Sequence, residues 1–214
     1  DGTFTYHSNN ENVATVVNGV ITAGTHTGTA IITITHDSGI TSEISVTVTQ
    51  AGRTATPMVA GGSEFAVALL DNGEVWTWGS NDSGQLGSDT SSTPLPVMAE
   101  GVSNVVAIAA GADTSIALTA DGSVYTWGGG ENNATKVLDN ATQVDAKGEQ
   151  FTAVSVDGSA YAWNKNETPT KVDGLSNVIT SAAGGNHAMA VLSDGNVYTW
   201  GANESGQLGI GSVD

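Results

Sequence analysis

The sequence predicts an all-β protein on three observations. Helical periodicity is nearly absent, and short runs alternate apolar residues with Thr and Ser. Gly, Asn and Asp turns punctuate those runs. An Asn/Asp-Gly pair also recurs four times, each time with a Trp five residues after the Gly: Asn72-Gly73 with Trp78, Asp121-Gly122 with Trp127, Asp157-Gly158 with Trp163, and Asp194-Gly195 with Trp200.

Residues 1–50 form a first block. Its strands read "NVATVV", "VITA", "TAIITIT" and "EISVTVT", with turns at Asn18-Gly19 and Asp37-Ser38-Gly39. Strand alternation puts Ala30, Ile32 and Ile34 on one face and Ile44, Val46 and Val48 on the same face of the neighbour, with Ser45, Thr47 and Thr49 turned to water. That pattern suits one wall of a β-sandwich. The residues Val13 to Val16, Asn18-Gly19 and Gly28 to Ala30 resemble the bacterial immunoglobulin-like domain of group 2. The resemblance implies a partial immunoglobulin-like β-sandwich holding only the later strands of that domain. "QAGRTATP" follows without an apolar pattern and ends in Pro57, so residues 51–57 read as a linker.

From Met58 onward the chain repeats itself. Matching strands "AVALL", "SIALT", "TAVSV" and "AMAVL" precede the four turns, and Gly61-Gly62, Ala110-Gly111 and Ala183-Gly184 precede three of the strands. An Asn-Gly or Asp-Gly pair suggests a type I′ hairpin turn with two positive φ angles. A Trp at fixed offset then falls on the same side of every hairpin, where it can fill the gap between stacked sheets. One hairpin cannot bury its own faces, so several must pack side by side, as in propellers and solenoids.

Gly184, His187, Ala190, Asp194-Gly195, Val197 to Gly201 and Gly206 to Gly209 follow the phrase of the regulator of chromosome condensation repeat, which residues 58–214 resemble. The resemblance implies a β-propeller of seven four-stranded blades. The units depart from it: the four Trp stand 49, 36 and 37 residues apart, and "GGGENNATK" and "NKNETPTK" lack the Gly-Gln-Leu-Gly extension. In this they are similar to the short-repeat β-lactamase inhibitory protein II. Phe65 and Thr114 stand where the family often has His, and the third unit is one residue shorter and lacks the Gly after its Trp. Residues 58–214 number 157, against about 250 to 350 for a closed ring of seven such units. The expected architecture is thus an incomplete propeller of about three to four blades. Both ends are expected to be cut inside domains, or else a neighbouring chain completes the open edges by strand addition.

With 22 acidic against 5 basic residues the net charge is −17, a field that repels nucleic acid and anionic membranes. Cysteine is absent, and no apolar run reaches the roughly 20 residues of a membrane helix. His7, His26, His36 and His187 lack zinc-type spacing, and His187 is expected to bond its own blade's backbone. "SNDSGQLGSDT" does not fit a calcium loop, and its Asp, Asn and Ser read as turn formers. Five Asn-x-Ser/Thr sites, at Asn81, Asn133, Asn140, Asn166 and Asn203, permit glycosylation. Among five Trp, only Trp76 lies outside the repeat position and is free for a surface role. No catalytic, cofactor-binding or metal-binding residue is assigned, and no cofactor or enzyme activity is expected. The expected function is a non-catalytic extracellular bacterial surface protein, for adhesion, protein interaction or a structural stalk or filament. Its partner is expected to be another protein or a surface glycan, with self-association through open sheet edges also allowed. The alternative is a secreted propeller-type inhibitor or regulator resembling β-lactamase inhibitory protein II.

Overall fold

The computed structural model describes residues 2–24, 28–48 and 54–213. The chain divides into two compact units, Asp1–Gly52 and Arg53–Asp214.

In the first unit, β1 (Phe4–Ser8), β4 (Gly28–His36) and β5 (Thr41–Val48) form one antiparallel sheet, and β2 (Ala14–Val17) pairs with β3 (Val20–Ala23). Val13, Ala14, Ala30 and Ile32 are its buried core, with Val16, Ile34, Val46 and Val48 packed against them. The inward face expected of β4 is therefore present. On β5 the expected face is only partly covered, because Ile44 is exposed while Val46 and Val48 are half-buried. Alternation gave no sign of β1. Its one buried residue is Ser8, whose Oγ donates to the Ala14 carbonyl at 2.6 Å, while Phe4 is exposed. Asn18 and Gly19 have φ of 49° and 79°, the pair of values a type I′ turn needs. His26, Thr49 and residues 51–53 lie outside the described residues.

The second unit consists of four successive antiparallel sheets. The first runs β6 (Met58–Gly61), β7 (Phe65–Leu69), β8 (Val75–Gly79), β9 (Thr93–Met98), and the second β10 (Val105–Ala110), β11 (Thr114–Thr119), β12 (Val124–Gly128), β13 (Glu131–Leu138). The third runs β14 (Ala141–Lys147), β15 (Gln150–Ser155), β16 (Ala160–Asn164), β17 (Thr170–Lys171), and the fourth β18 (Val178–Ala183), β19 (His187–Leu192), β20 (Val197–Gly201). Each sheet packs on the next through its leading strand: β10 meets β6 and β7, β14 meets β10 and β11, and β18 meets β14 and β15. This is the arrangement of propeller blades.

Apolar clusters fill the gaps between blades. Leu69, Val75, Leu86, Val105 and Trp127 lie between the first two, and Ile116, Val124, Val144, Phe151 and Trp163 between the next two. Val154, Leu175, Val178 and Ala190 lie between the last two, with Trp200 packed against them. Trp127 and Trp163 are wedges, exposed by 1% and 5%, whereas Trp78 and Trp200 are half-buried.

The four repeat turns are not type I′. Only their glycines have positive φ, at 82° (Gly73), 85° (Gly122), 76° (Gly158) and 87° (Gly195). The Gly N–H donates to the residue three before it, Gly73 to the Leu70 carbonyl at 3.1 Å for example, and Leu70 N donates to the Glu74 carbonyl at 2.9 Å. This is a type I turn followed by a left-handed bulge residue. The Asn or Asp does not need the left-handed region there, because its side chain has another task. Asn72, Asp121, Asp157 and Asp194 each accept, through Oδ1, the N–H two residues on, at 2.9 to 3.0 Å. The turn also joins blades: the Gly73, Gly122 and Gly158 carbonyls accept from Val105, Ala141 and Val178 N at the start of the next leading strand.

Candidate functional site

The most structured inter-blade gap lies between the first two blades. After Trp78 the chain makes a long excursion, residues 80–92, before β9 begins. Asn81 organises it, with Oδ1 accepting from Leu86 N at 2.9 Å and Nδ2 donating to the Ser88 carbonyl at 3.1 Å and to the Thr90 carbonyl. Gln85 Oε1 accepts from Ser83 N at 2.9 Å, and Thr77 Oγ1 donates to the Leu86 carbonyl at 2.7 Å. These bonds bury Leu86 completely and aim the Gln85 carbonyl at the second blade. There it accepts both Trp127 Nε1 and Ser115 Oγ, each at 3.0 Å. The Gly-Gln-Leu-Gly loop is thus a plug that satisfies the next blade's tryptophan. The same loop is built at Gly206–Gly209, where Leu208 N donates to Asn203 Oδ1 at 3.0 Å, Ser205 N to Gln207 Oε1 at 2.9 Å and Thr199 Oγ1 to the Leu208 carbonyl at 2.8 Å.

The second blade has no plug. Its chain passes from β12 to β13 through Gly128, Gly129 and Gly130, all left-handed with φ of 85°, 67° and 108°. Trp163 on the third blade takes the place that Trp127 holds on the second. Phe151 replaces Ser115 and stacks on its ring, centroids 5.5 Å apart. Trp163 Nε1 has no hydrogen-bond partner among the described residues. Where the plug is missing, a cleft of about 400 Å³ opens, lined by Trp127, Trp163, Phe151, Thr114, Glu131 and Glu167 among others. Thr114 is 3% exposed and its Oγ1 is buried without a partner.

Lys165 crosses the same gap. Its Nζ lies 2.7 Å from Asp113 Oδ2 on the second blade and 3.8 Å from Glu149, and the Asp113 carboxylate holds the ammonium pKa above its ordinary value. Asn164 stands where the other three blades have a Gly of positive φ, and Lys165 N still donates to the Glu149 carbonyl at 2.7 Å. A second cleft, of about 420 Å³, lies at the turn end between the first two blades, lined by Asp71, Asn72, Asn104, Asp121 and Tyr125 among others. In the turns, the Thr119 hydroxyl lowers the pKa of Asp121 and the Ser155 hydroxyl lowers that of Asp157, while the Asp139 carboxylate raises that of Lys136.

Other residues singled out in the sequence fall as follows. Trp76 is half-buried and its Nε1 donates to Glu74 Oε2 at 3.2 Å. The His187 ring does not bond its blade's backbone. It lies over Gly184, where an added Cβ would come within 2.2 Å of Cε1, so the Gly at that position makes room for the ring. Phe65 occupies the same place over Gly62 and Thr114 over Gly111. His36 Nδ1 lies 2.7 Å from Ser38 Oγ. Among the described residues no group of three His, Asp or Glu could hold a metal ion. Sequence reasoning missed the backbone role of Asn104, Asn140 and Asn177, which open the leading strands with φ of 54°, 59° and 57° and accept, through their carbonyls, from the turn of their own blade. Their spacings of 36 and 37 residues match those of the Trp and could have revealed them.

The fold and the inter-blade plugs define a β-propeller. Residues 72–118, and also 105–134 and 179–207, match family profiles described as regulator of chromosome condensation (RCC1) repeat. The third blade, which lacks the Gly after its Trp, falls entirely outside the matched residues. Comparison with curated proteins gives no match. Among solved structures, the chain is similar to yeast RCC1 (Prp20), seen bound to Kap60, at 27% identity and a TM-score of 0.62, over 71% of this chain and 44% of that one. A structure of Prp20p from Saccharomyces cerevisiae, whose description concerns binding to Gsp1p and histones, gives 20% identity and a TM-score of 0.63 over 89% and 59%. Human WBSCR16 gives 24% and 0.60 over 69% and 47%. The chain spans about half the length of these relatives.

Proposed function

We propose that this protein is a non-catalytic binding module on the bacterial cell surface, in which a propeller presents its rim loops to another protein. The observation that carries the reading is the contrast between frame and rim. Turn, bulge and leading-strand bonds repeat from blade to blade, while the loop after each Trp changes in length and chemistry, from residues 80–92 to 129–130 to 165–169. Variable loops on a rigid scaffold are where binding specificity resides. The net charge of −17 favours a partner with a basic face. The likeness to a yeast propeller seen with Kap60 supports a protein occupant over a glycan. The first unit is proposed as the later strands of a bacterial immunoglobulin-like domain acting as a spacer. Val197 on β20 is exposed, whereas Val75 and Val124 at its place are buried against the next blade, so the leading strand of another blade, from this protein or a second copy, would be accommodated on that face.

Antibody labelling of intact source cells tests the location: labelling is expected without permeabilisation, and signal only after permeabilisation would refute it. For binding, exchange of residues 165–169 for a Gly-Ser segment is expected to reduce capture of the partner while leaving the melting curve of the first unit unchanged. Undiminished capture by every rim-loop exchange would refute the binding reading.

A further inference from the structure

Two gaps of the same propeller differ by one part. Between the first and second blades the Gln85 carbonyl accepts Trp127 Nε1, and Leu86 beside it is fully buried. Between the second and third blades the corresponding indole N–H, on Trp163, is bare. The loop that would meet it has been shortened to Gly129-Gly130, and a cleft of about 400 Å³ remains. Thr114, with a buried hydroxyl oxygen lacking a partner, lines the same cleft. An occupant with an acceptor group would give the Trp163 N–H the partner that the Gln85 carbonyl gives Trp127.

We propose that this slot is a docking site for a peptide loop of a partner protein, which inserts in trans the plug that the first blade supplies in cis. The inference rests on the binding-module reading above and names the surface used. The chain's own geometry specifies the occupant: a tight, Gly-containing loop that turns one backbone carbonyl toward Trp163 Nε1 and seats a small aliphatic side chain against Phe151 and Val137. Charge specifies its flank. Lys165 is neutralised by Asp113 across the gap, so the exposed Glu131 and Glu167 leave the mouth net negative. The matching loop carries Lys or Arg beside its turn.

The test uses the full chain labelled with ¹⁵N at tryptophan, whose indole N–H resonances report each ring separately. The probe is a cyclised peptide with the sequence of residues 81–87, Asn-Asp-Ser-Gly-Gln-Leu-Gly, extended by two lysines. Saturable movement of the Trp163 indole resonance is expected at up to millimolar peptide, with the Trp127 indole, already bonded to Gln85, unmoved. Trp163→Phe keeps a smaller aromatic ring against Phe151 and deletes the donor, and should weaken peptide binding, read by calorimetric titration, at least about tenfold, the value of one such hydrogen bond. An unchanged Trp127 indole resonance shows that this variant has folded. Glu131→Gln lies on the exposed mouth, cannot disturb the core, and should flatten the salt dependence of binding. No movement of the Trp163 indole at millimolar peptide overturns the proposal, as does equal movement of the half-buried Trp76. Movement with neutral oligosaccharides in place of the peptide also overturns it. If the chain still captures a whole partner undiminished by W163F and E131Q, the slot is refuted while the binding-module reading stands.

Discussion

Asp157 illustrates how a single turn side chain ties sequence to stability. Its carboxylate accepts from Ser159 N at 2.9 Å and from the Ser155 hydroxyl, and the latter bond is the larger cause of its lowered pKa. A depressed folded-state pKa means that the ionised form favours the native state. The contribution is therefore complete above the unfolded value near 3.9 and fades as pH falls through the folded value. Because the group is exposed, screening keeps the effect small, about 0.5 kcal/mol. Asp157→Ala is expected to lower the denaturation midpoint at pH 7, and the difference from the parent should shrink in urea titrations toward pH 2. A glycine contrast sits beside it. Gly158 and Gly195 have nearly the same φ, but a Cβ on Gly158 would meet Asn177 N and Cα at 3.0 Å, whereas one on Gly195 meets nothing within 4 Å. Gly195→Ala should therefore cost about 1 kcal/mol of backbone strain alone, and Gly158→Ala about 2 to 3, read by thermal melting. Equal losses would mean that the inter-blade approach contributes nothing.

At the scale of elements, the hairpins and the Trp positions were legible because both are local: a turn pair and an aromatic at fixed offset need no knowledge of the neighbour. The turn class was not legible. Asp-Gly serves equally for a type I′ turn and for a bulge turn in which the carboxylate caps the next strand, and only backbone angles separate them. The plug was visible as a recurring phrase but not as a plug, since its partners, Trp127 and Ser115, lie 42 and 30 residues downstream of Gln85. Strand β1 escaped because its buried position is a serine. Lys165 escaped because its partner Asp113 is 52 residues away on another blade. That pair supports an element-level expectation. Both side chains are largely buried, at 21% and 28% exposure, and Lys165→Met removes the counter-charge from Asp113, so a loss of about 1 kcal/mol is expected at pH 7. The Lys165 pKa is raised in the fold. The stabilisation is therefore fully present below the unfolded value near 10.4 and is lost as pH rises through the folded one. Urea midpoints of the two proteins should converge in strongly alkaline buffer, and a constant gap would assign the loss to packing of the lysine stem.

For the whole molecule, the two units differ in how much core they own. The unit Asp1–Gly52 buries Val13, Ala14, Ala30 and Ile32, whereas Arg53–Asp214 has three inter-blade clusters that include Leu69, Leu86, Ile116, Leu118, Trp127 and Trp163. A unit of that size with so few buried side chains among the described residues is marginal, because a short chain buries a smaller share of its surface. Blades, in contrast, share interfaces with their neighbours and gain cooperativity from them. Calorimetry of the intact chain should therefore show two transitions. The earlier one belongs to the first unit, with enthalpies in a ratio of about 1:3, following the roughly constant enthalpy per residue of globular folds. Ile32→Ala empties the centre of the smaller core and should remove or sharply lower the first transition, by about 2 to 4 kcal/mol, without moving the second. Leu86→Ala should move only the second. One transition whose calorimetric and van't Hoff enthalpies agree, shifted by both substitutions, would show that the two units melt as one and would overturn this division of stability.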